Sequence, residues 1–167
     1  MVKIGVVSDT HVQTMKRPSL PKAVIDGLKG VDLVFHAGDI ISPKILDQLR
    51  EIAPVKAVCG NMDMELRGTL PEHLIHEVEG VKIGLSHGAG APAGIIDRLK
   101  RLFNGDVRCI VFGHTHTPMA EEIDGIYFFN PGAAVDKVFS LVNSYGILTV
   151  DNGDVKGEIF EIEVEDE

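Results

Sequence analysis

The sequence predicts an α/β domain of mixed sheet content, with two packed sheets and helices outside them. Three observations predict it. Short apolar runs rich in Val and Ile, each ending in a small polar cluster, recur five times within the first 116 residues. Helix-like segments lie between several of those runs. After residue 117 the alternation gives way to strand pairs at hairpin spacing.

Taken in order, VKIGVV runs into SDTH, VDLVF into HAGD, VKAV into CGNMD, VKIGL into SHG, and CIVF into GHTH. Each run reads as a strand buried on both faces. PKAVIDGLKG predicts a first helix with Pro21 near its start and Gly27 or Gly30 near its end. SPKILDQLREIA predicts a second, with Ser42 as N-cap and Pro43 at the first helical position. APAGIIDRLKRLFNG puts Ile95, Ile96, Leu99, Leu102 and Phe103 on one helical face and stops at Gly105. Three strand pairs complete the pattern: one around Glu79-Gly80, one around Asp124-Gly125 and one joined through Asp151–Asp154. The tail EIFEIEVEDE alternates apolar and acidic residues, as an edge strand with a solvated face does, and is expected to fray at Glu165–Glu167.

Composition narrows the function. The 167 residues suit a single domain, 1–167, with a full hydrophobic core. A net charge of −9 argues against stable nucleic-acid binding, which needs a basic surface. It leaves room for a phosphate-bearing small substrate if metal supplies local positive charge. The N-terminal MVKIGVVSDTH reads as neither a signal peptide nor a membrane span. Cys59 and Cys109, isolated in or beside apolar runs, read as reduced thiols of a cytoplasmic protein.

All five polar clusters stand at strand ends, where ligands sit in open α/β sheets. Asp9, His11, Asp39, Asn61, Asp63, His87, His114 and His116 can therefore converge on one rim. Carboxylate, imidazole and amide donors without thiolate suit Mn, Fe, Zn, Ni or Co. The pairs Asp9/His11 and His114/His116 are two residues apart, so in extended backbone each pair faces one way. Gly38 and Gly60 leave the approach of Asp39 and Asn61 clear of a preceding side chain.

The set DxH (Asp9, His11), GD (Gly38, Asp39), GN (Gly60, Asn61), His87 and GHxH (Gly113, His114, His116) resembles the calcineurin-like metallophosphoesterase superfamily. The likeness is to its small bacterial and archaeal phosphodiesterase branch, spans residues 4 to 132, and extends to FFNPGA at 128–133, which resembles that branch's NPGS segment. The resemblance implies a four-layer αββα sandwich and two divalent metal ions, Mn foremost. It implies Asp9, His11 and His116 on one ion, Asn61, His87 and His114 on the other, and Asp39 bridging. Two such ions lower the pKa of a shared water and offset charge in an in-line displacement, so the implied activity is hydrolysis of a small phosphodiester. Asp39, Asn61 and Asp63 are then the candidate catalytic residues. The alternatives are a phosphomonoesterase, a pyrophosphate-cleaving enzyme, or a scaffold like the retromer subunit that shares this fold and has lost metal-site histidines.

The match departs from the family in two places. Where many members carry histidine after the GN asparagine, this chain has Met62, followed by Asp63. Asp63 is expected either to supply the proton for the leaving group or to support Asn61 and the loop. Ala133 replaces the NPGS serine. Of the remaining candidates, His36 reads as a strand-end residue, with orientation of Asp39 as the alternative. His73 and His76, three apart in a strand, point to opposite faces and are not read as ligands. Ser86 reads as structural, Lys16 and Arg17 as solvated cations, and GAGAPAG lacks the Lys-Ser/Thr of a nucleotide cradle. With no insertion long enough for a cap, the site is expected to be open. Late edge strands make a homodimer conceivable.

Overall fold

The computed structural model describes residues 1–11, 19–136 and 142–163. Two five-stranded mixed sheets form. The first has the order β10-β9-β1-β2-β3, with β1 (Val2–Val7), β2 (Leu33–His36) and β3 (Val55–Ala57) parallel, and β9 (Asn143–Asp151) and β10 (Asp154–Ile162) added antiparallel. The second has the order β4-β5-β6-β8-β7. In it β5 (Val81–Ser86), β6 (Cys109–Val111) and β8 (Ile126–Asn130) run parallel, flanked by β4 (His73–Val78) and β7 (Met119–Ile123).

The three expected helices form as α1 (Lys22–Gly27), α2 (Pro43–Arg50) and α3 (Ile95–Phe103). Pro43 opens α2 as expected, although Ser42 contributes no side-chain hydrogen bond to the cap. Asn104 ends α3 in the left-handed conformation ahead of Gly105. The strand pairs expected around Glu79-Gly80, Asp124-Gly125 and Asp151–Asp154 are the β4–β5, β7–β8 and β9–β10 hairpins. β10 is an edge strand, as its alternation predicts. The expected fraying at Glu165–Glu167 lies outside the described residues, as do Lys16 and Arg17.

Strand periodicity of two explains the layering, because alternate residues of a doubly covered strand belong to different cores. Ile4, Val6, Phe35, Ile83, Leu85, Val111 and Phe129 meet in a core holding residues of both sheets. Val7 and Val34 point the other way, into a core with Val24, Leu28, Ile45 and Leu49 of α1, α2 and their flanks. Ile110 and Phe128 do the same against Ile95, Leu99 and Phe103 of α3. Three cores between four layers make the αββα sandwich. Leu102 departs from the expected apolar face of α3: it is 43 % exposed.

The parallel strands set the place of the site. β1, β2 and β3 in one sheet, and β5 and β6 in the other, deliver their C-terminal loops to the same end of the sandwich. Buried polar residues gather there, among them Ser8, Asp9, Thr10, His36, Asp39, Asp63 and His87.

Candidate metal centre

Five side chains meet at that end. Asp9 Oδ1 lies 3.2 Å from His116 Nε2 and 3.5 Å from His11 Nε2. Asp39 Oδ2 lies 3.4 Å from His11 Nε2 and 3.3 Å from His87 Nε2. Two trios of donors are close enough to hold an ion each, Asp9–His11–His116 and Asp9–Asp39–His87. Asp9 belongs to both trios, and Asp39 Oδ2 touches an imidazole of each.

The far atoms of four of the five side chains are anchored, leaving the near atom to the centre. Asp9 Oδ2 accepts hydrogen bonds from Ser8 Oγ at 2.6 Å and the His114 backbone N–H at 3.0 Å. Asp39 Oδ1 accepts from the Met62 N–H at 2.8 Å. His87 Nδ1 donates to the Ala37 carbonyl at 2.7 Å, and His116 Nδ1 is bonded to Asp136. What remains is Asp9 Oδ1, His11 Nε2 and His87 Nε2, three buried polar atoms without a hydrogen-bond partner. An unpaired buried polar atom is costly, and bound cations would satisfy all three: Asp9 belongs to both trios, His11 to one and His87 to the other. The oxygen and imidazole donors fit a divalent transition metal.

Backbone shape delivers these donors, and it differs from the extended form read from the two-residue spacing. Asp9 (φ 51°), Asp39 (φ 55°), His114 (φ 70°) and His116 (φ 58°) all adopt positive φ. Such residues cost about 1 kcal/mol or more each and cluster at functional sites. The glycines make the loops fit. A β-carbon on Gly60 would meet Asp39 Oδ1 at 2.1 Å, one on Gly113 would meet Ser8 Oγ at 2.0 Å, and one on Gly38 would meet His87 Nδ1 at 2.8 Å. The space is thus needed by the neighbouring loop's ligand as well as by the residue that follows the glycine.

Electrostatics follows from two buried carboxylates among imidazoles. Burial works to raise the Asp9 carboxyl, but His11 and His116, with His87 behind them, outweigh it and hold it well below the usual range. Asp39 is likewise held low by His11 and His87 against its own burial. In return the Asp39 carboxylate, followed by that of Asp9, pushes His11 up to about 9. His116 is raised chiefly by Asp9. His87 is raised by Asp39 in spite of its burial. The centre therefore demands positive charge, which protons or metal ions can supply.

The other expected site residues take distinct places. The His114 ring stands 5.0 Å from that of His87, with Nε2 2.7 Å from the Gly90 carbonyl, and His114 belongs to neither donor trio. Asn61 is exposed and lines a cleft shared with His87. Asp63 is buried at 1 % exposure and points into its loop. Its Oδ1 accepts from the Ile40 and Ile41 N–H groups, each at 2.7 Å, and its Oδ2 from the Gly60 N–H at 2.8 Å. Of the two roles expected for it, this geometry favours loop support over proton donation. Ser86 Oγ accepts from the Gly88 N–H at 3.4 Å, consistent with a structural part. His73 and His76 lie outside both donor trios, against Phe103 and Phe35.

His36 is fully buried and neutral, its pKa pushed down to about 3 by burial. Its Nδ1 accepts from the Gly38 N–H at 3.1 Å, so Nε2 carries the proton toward Thr10 Oγ1 at 2.9 Å. It thereby braces both carboxylate loops, between Asp9 and His11 on one side and before Asp39 on the other. Two supports escape a sequence reading. Asp136 orients His116 from twenty residues away, with no spacing pattern to announce it. Asn130 donates to the Gly113 carbonyl at 3.1 Å and to Thr115 Oγ1 at 3.0 Å, pinning the GHTH loop. The quoted FFNPGA segment was the signal for Asn130.

Comparison with known proteins agrees with this geometry. The calcineurin-like phosphoesterase superfamily domain matches residues 2–153. A probable metallophosphoesterase of Methanothermobacter thermautotrophicus is 39% identical over 133 residues, 78% of this chain and 76% of that protein. A phosphodiesterase of Methanocaldococcus jannaschii is 29% identical over 145 residues, 78% of this chain and 83% of its own. Among solved structures, Vps29 of Entamoeba histolytica in complex with zinc superposes with a TM-score of 0.73 at 27% identity, covering 96% of this chain and 99% of that one.

Proposed function

Because the chain belongs to the calcineurin-like phosphoesterase superfamily, we propose that it is a binuclear metal-dependent phosphodiesterase acting on a small phosphodiester. The observation that carries the reading is the convergence of Asp9 Oδ1, His11 Nε2 and His87 Nε2, buried and unpartnered. Residues 1–167 work as one metallophosphoesterase domain, with no nucleic-acid or membrane partner. Among the described residues no helix is long and apolar enough to cross a membrane. Both cysteines are free and buried, which supports a reducing, cytoplasmic setting.

Asp9, His11 and His116 would hold one ion, Asn61, His87 and His114 would hold the other, and Asp39 would serve both. The support for Asp39 is its Oδ2, 3.4 Å from His11 and 3.3 Å from His87, and Asp9 Oδ1 is placed to assist it. When bound there, two divalent ions would supply activation of water at neutral pH and positive charge against phosphoryl oxygens. Manganese is the proposed native ion, with Ni, Co, Fe and Zn fitting the same donors.

The protein's own contribution is orientation. Asp136 fixes the tautomer of His116, the Ala37 carbonyl fixes that of His87, and the Gly90 carbonyl faces His114 Nε2. Asp63 clamps the Gly60 and Ile40 loops, which keeps Asn61 and Asp39 in register. With Asp63 facing away, no side chain here is assigned to protonate the leaving group, and diesters with good leaving groups are the expected best substrates.

The test is to strip metals and assay a chromogenic diester and monoester with Mn, Ni, Co, Zn and Mg. Diester turnover exceeding monoester turnover is expected. No turnover with any ion would sink the enzyme reading, and turnover of the monoester alone would make it a phosphomonoesterase.

A further inference from the structure

His87, a member of one donor trio, also lines a larger cleft beside the centre. The cleft encloses about 830 Å³ and runs from His87 and Asn61 along the side of α3. That is room for a nucleotide-sized ligand, well beyond a single phosphoryl group.

Its lining is out of character with the rest of the chain. On a protein of net charge −9, three arginines (Arg67, Arg98 and Arg101) line this one cleft, against a single carboxylate, Glu72. The ion pairs of the described surface use Lys22, Lys29, Arg50, Lys82, Lys100 and Arg108 instead. Arg67, Arg98 and Arg101 are not among them.

The three do different work. Arg98 is tied to the carbonyls of Ala93, Gly88 and Ala89 at 3.2, 3.3 and 3.5 Å, so it holds the glycine-rich loop against α3. Arg67 gives one bond, to the Asn61 carbonyl at 3.3 Å, leaving most of its fork for a ligand. Arg101 is exposed on α3. Between them the floor is apolar: Leu70, Leu99 and Leu102 line the same cleft. Leu102, 43 % exposed, was expected in the core of α3 and is found here instead.

We infer that this cleft binds the far arm of the substrate, and that the arm carries a second phosphate. The inference rests on the phosphodiesterase reading for which phosphate is cut, but the arginine cleft stands apart from it. A guanidinium fork recognises phosphate oxygens in pairs, and a terminal phosphate has enough oxygens to receive Arg67 and Arg101 together. The leucines cover the sugar or base between the two phosphates. The preferred substrate is a phosphodiester of a nucleoside bearing another phosphate, a nucleoside bisphosphate in its binding half.

Binding gives the test without any need for turnover. Thymidine 3′,5′-bisphosphate and thymidine 5′-phosphate are titrated calorimetrically into the Mn-loaded protein at low salt. The bisphosphate is expected to bind about tenfold tighter, with the ratio shrinking as salt rises. The double variant Arg67→Ala/Arg101→Ala should bring the ratio near one, while Arg67→Lys/Arg101→Lys keeps part of it. Arg50→Ala, outside the cleft, should leave the ratio as in the wild type. A wild-type ratio near one, or a ratio that survives in the double alanine variant, overturns the inference. Kinetics then separates the two readings, using p-nitrophenyl esters of thymidine 5′-phosphate with and without a 3′-phosphate. If neither ester is turned over but the arginine-dependent binding ratio holds, the phosphodiesterase reading fails and the cleft assignment stands.

Discussion

Gly60 and Asp39 are packed so closely that a β-carbon on the glycine would lie 2.1 Å from the Asp39 carboxylate oxygen and 2.3 Å from its backbone nitrogen. No side-chain rotation relieves a contact with backbone. Gly60→Ala is therefore expected to displace Asp39, lower bound metal severalfold and remove most activity. Gly153→Ala is the contrast: its glycine has φ +85° with open space around it. It should cost about 1 kcal/mol of stability and leave metal content alone. Metal analysis of the two purified variants checks the pair of expectations.

Asp39→Ala and Asp63→Asn separate the centre from its support. Asp39→Ala should abolish both activity and stoichiometric metal. Asp63→Asn keeps one acceptor oxygen but sets an amide against backbone N–H groups, and should cost about 1–3 kcal/mol. Its effect on turnover should be the same for good and poor leaving groups. A loss confined to poor leaving groups would restore Asp63 as the proton donor.

Asp136→Asn addresses the carboxylate behind His116. Outer carboxylates of this kind commonly contribute about 10–100-fold in metal affinity. That range is expected for one of the two ions, read by competition with a chelator. An unchanged titration would show that Asp136 has no hold on the ligand.

His36 makes a prediction with a defined sign. Its imidazole sits at about 3 in the fold against an ordinary 6.5, because burial disfavours the charged ring. Between those values the unfolded chain takes up a proton that the folded chain refuses. The His36 contribution is thus fully present above about pH 6.5 and is lost as pH falls toward 3. Compared with metal-free His36→Asn, metal-free wild type should lose an extra ~1.4 kcal/mol per pH unit across that window. Urea unfolding at several pH values measures the difference. The lost hydrogen bonds of the variant give a constant offset, and only the slope bears on the claim.

Burial raises both the Cys59 and Cys109 thiols above their ordinary value. Neither should react with a thiol reagent at neutral pH until the protein is unfolded, when both should. Rapid labelling of native protein would contradict the burial of Cys59 in the loop after β3 and of Cys109 in β6.

Much of this molecule was legible before the structure. The five apolar runs ending in SDTH, HAGD, CGNMD, SHG and GHTH located the strands that precede the candidate donors, because a strand turns polar where it leaves the sheet. β3 is the exception to burial on both faces, an edge strand with Lys56 exposed. Two dipeptide turns and the Asp151–Asp154 span located the hairpins. What stayed hidden has physical reasons. Asp136 acts on His116 across twenty residues of intervening β7 and β8, a distance no local pattern encodes. Positive φ at Asp9, Asp39, His114 and His116 is imposed by tertiary contacts against each residue's own preference. Leu102 looked like core because helical spacing tells which residues share a stripe, not how wide a stripe the neighbouring sheet covers. Asp63 was read as one of two things, since a sequence cannot say whether a carboxylate points inward at backbone or outward at substrate.

The candidate donors are divided between the sheets. Asp9, His11, Asp39 and Asn61 follow strands of the first, whereas His87, His114 and His116 follow strands of the second. Each trio, Asp9–His11–His116 and Asp9–Asp39–His87, draws its last imidazole from the opposite sheet. A chain caught with only one sheet formed would own neither trio. Neither candidate trio is complete until the two sheets have closed on each other. The seam between the sheets doubles as a checkpoint on assembly.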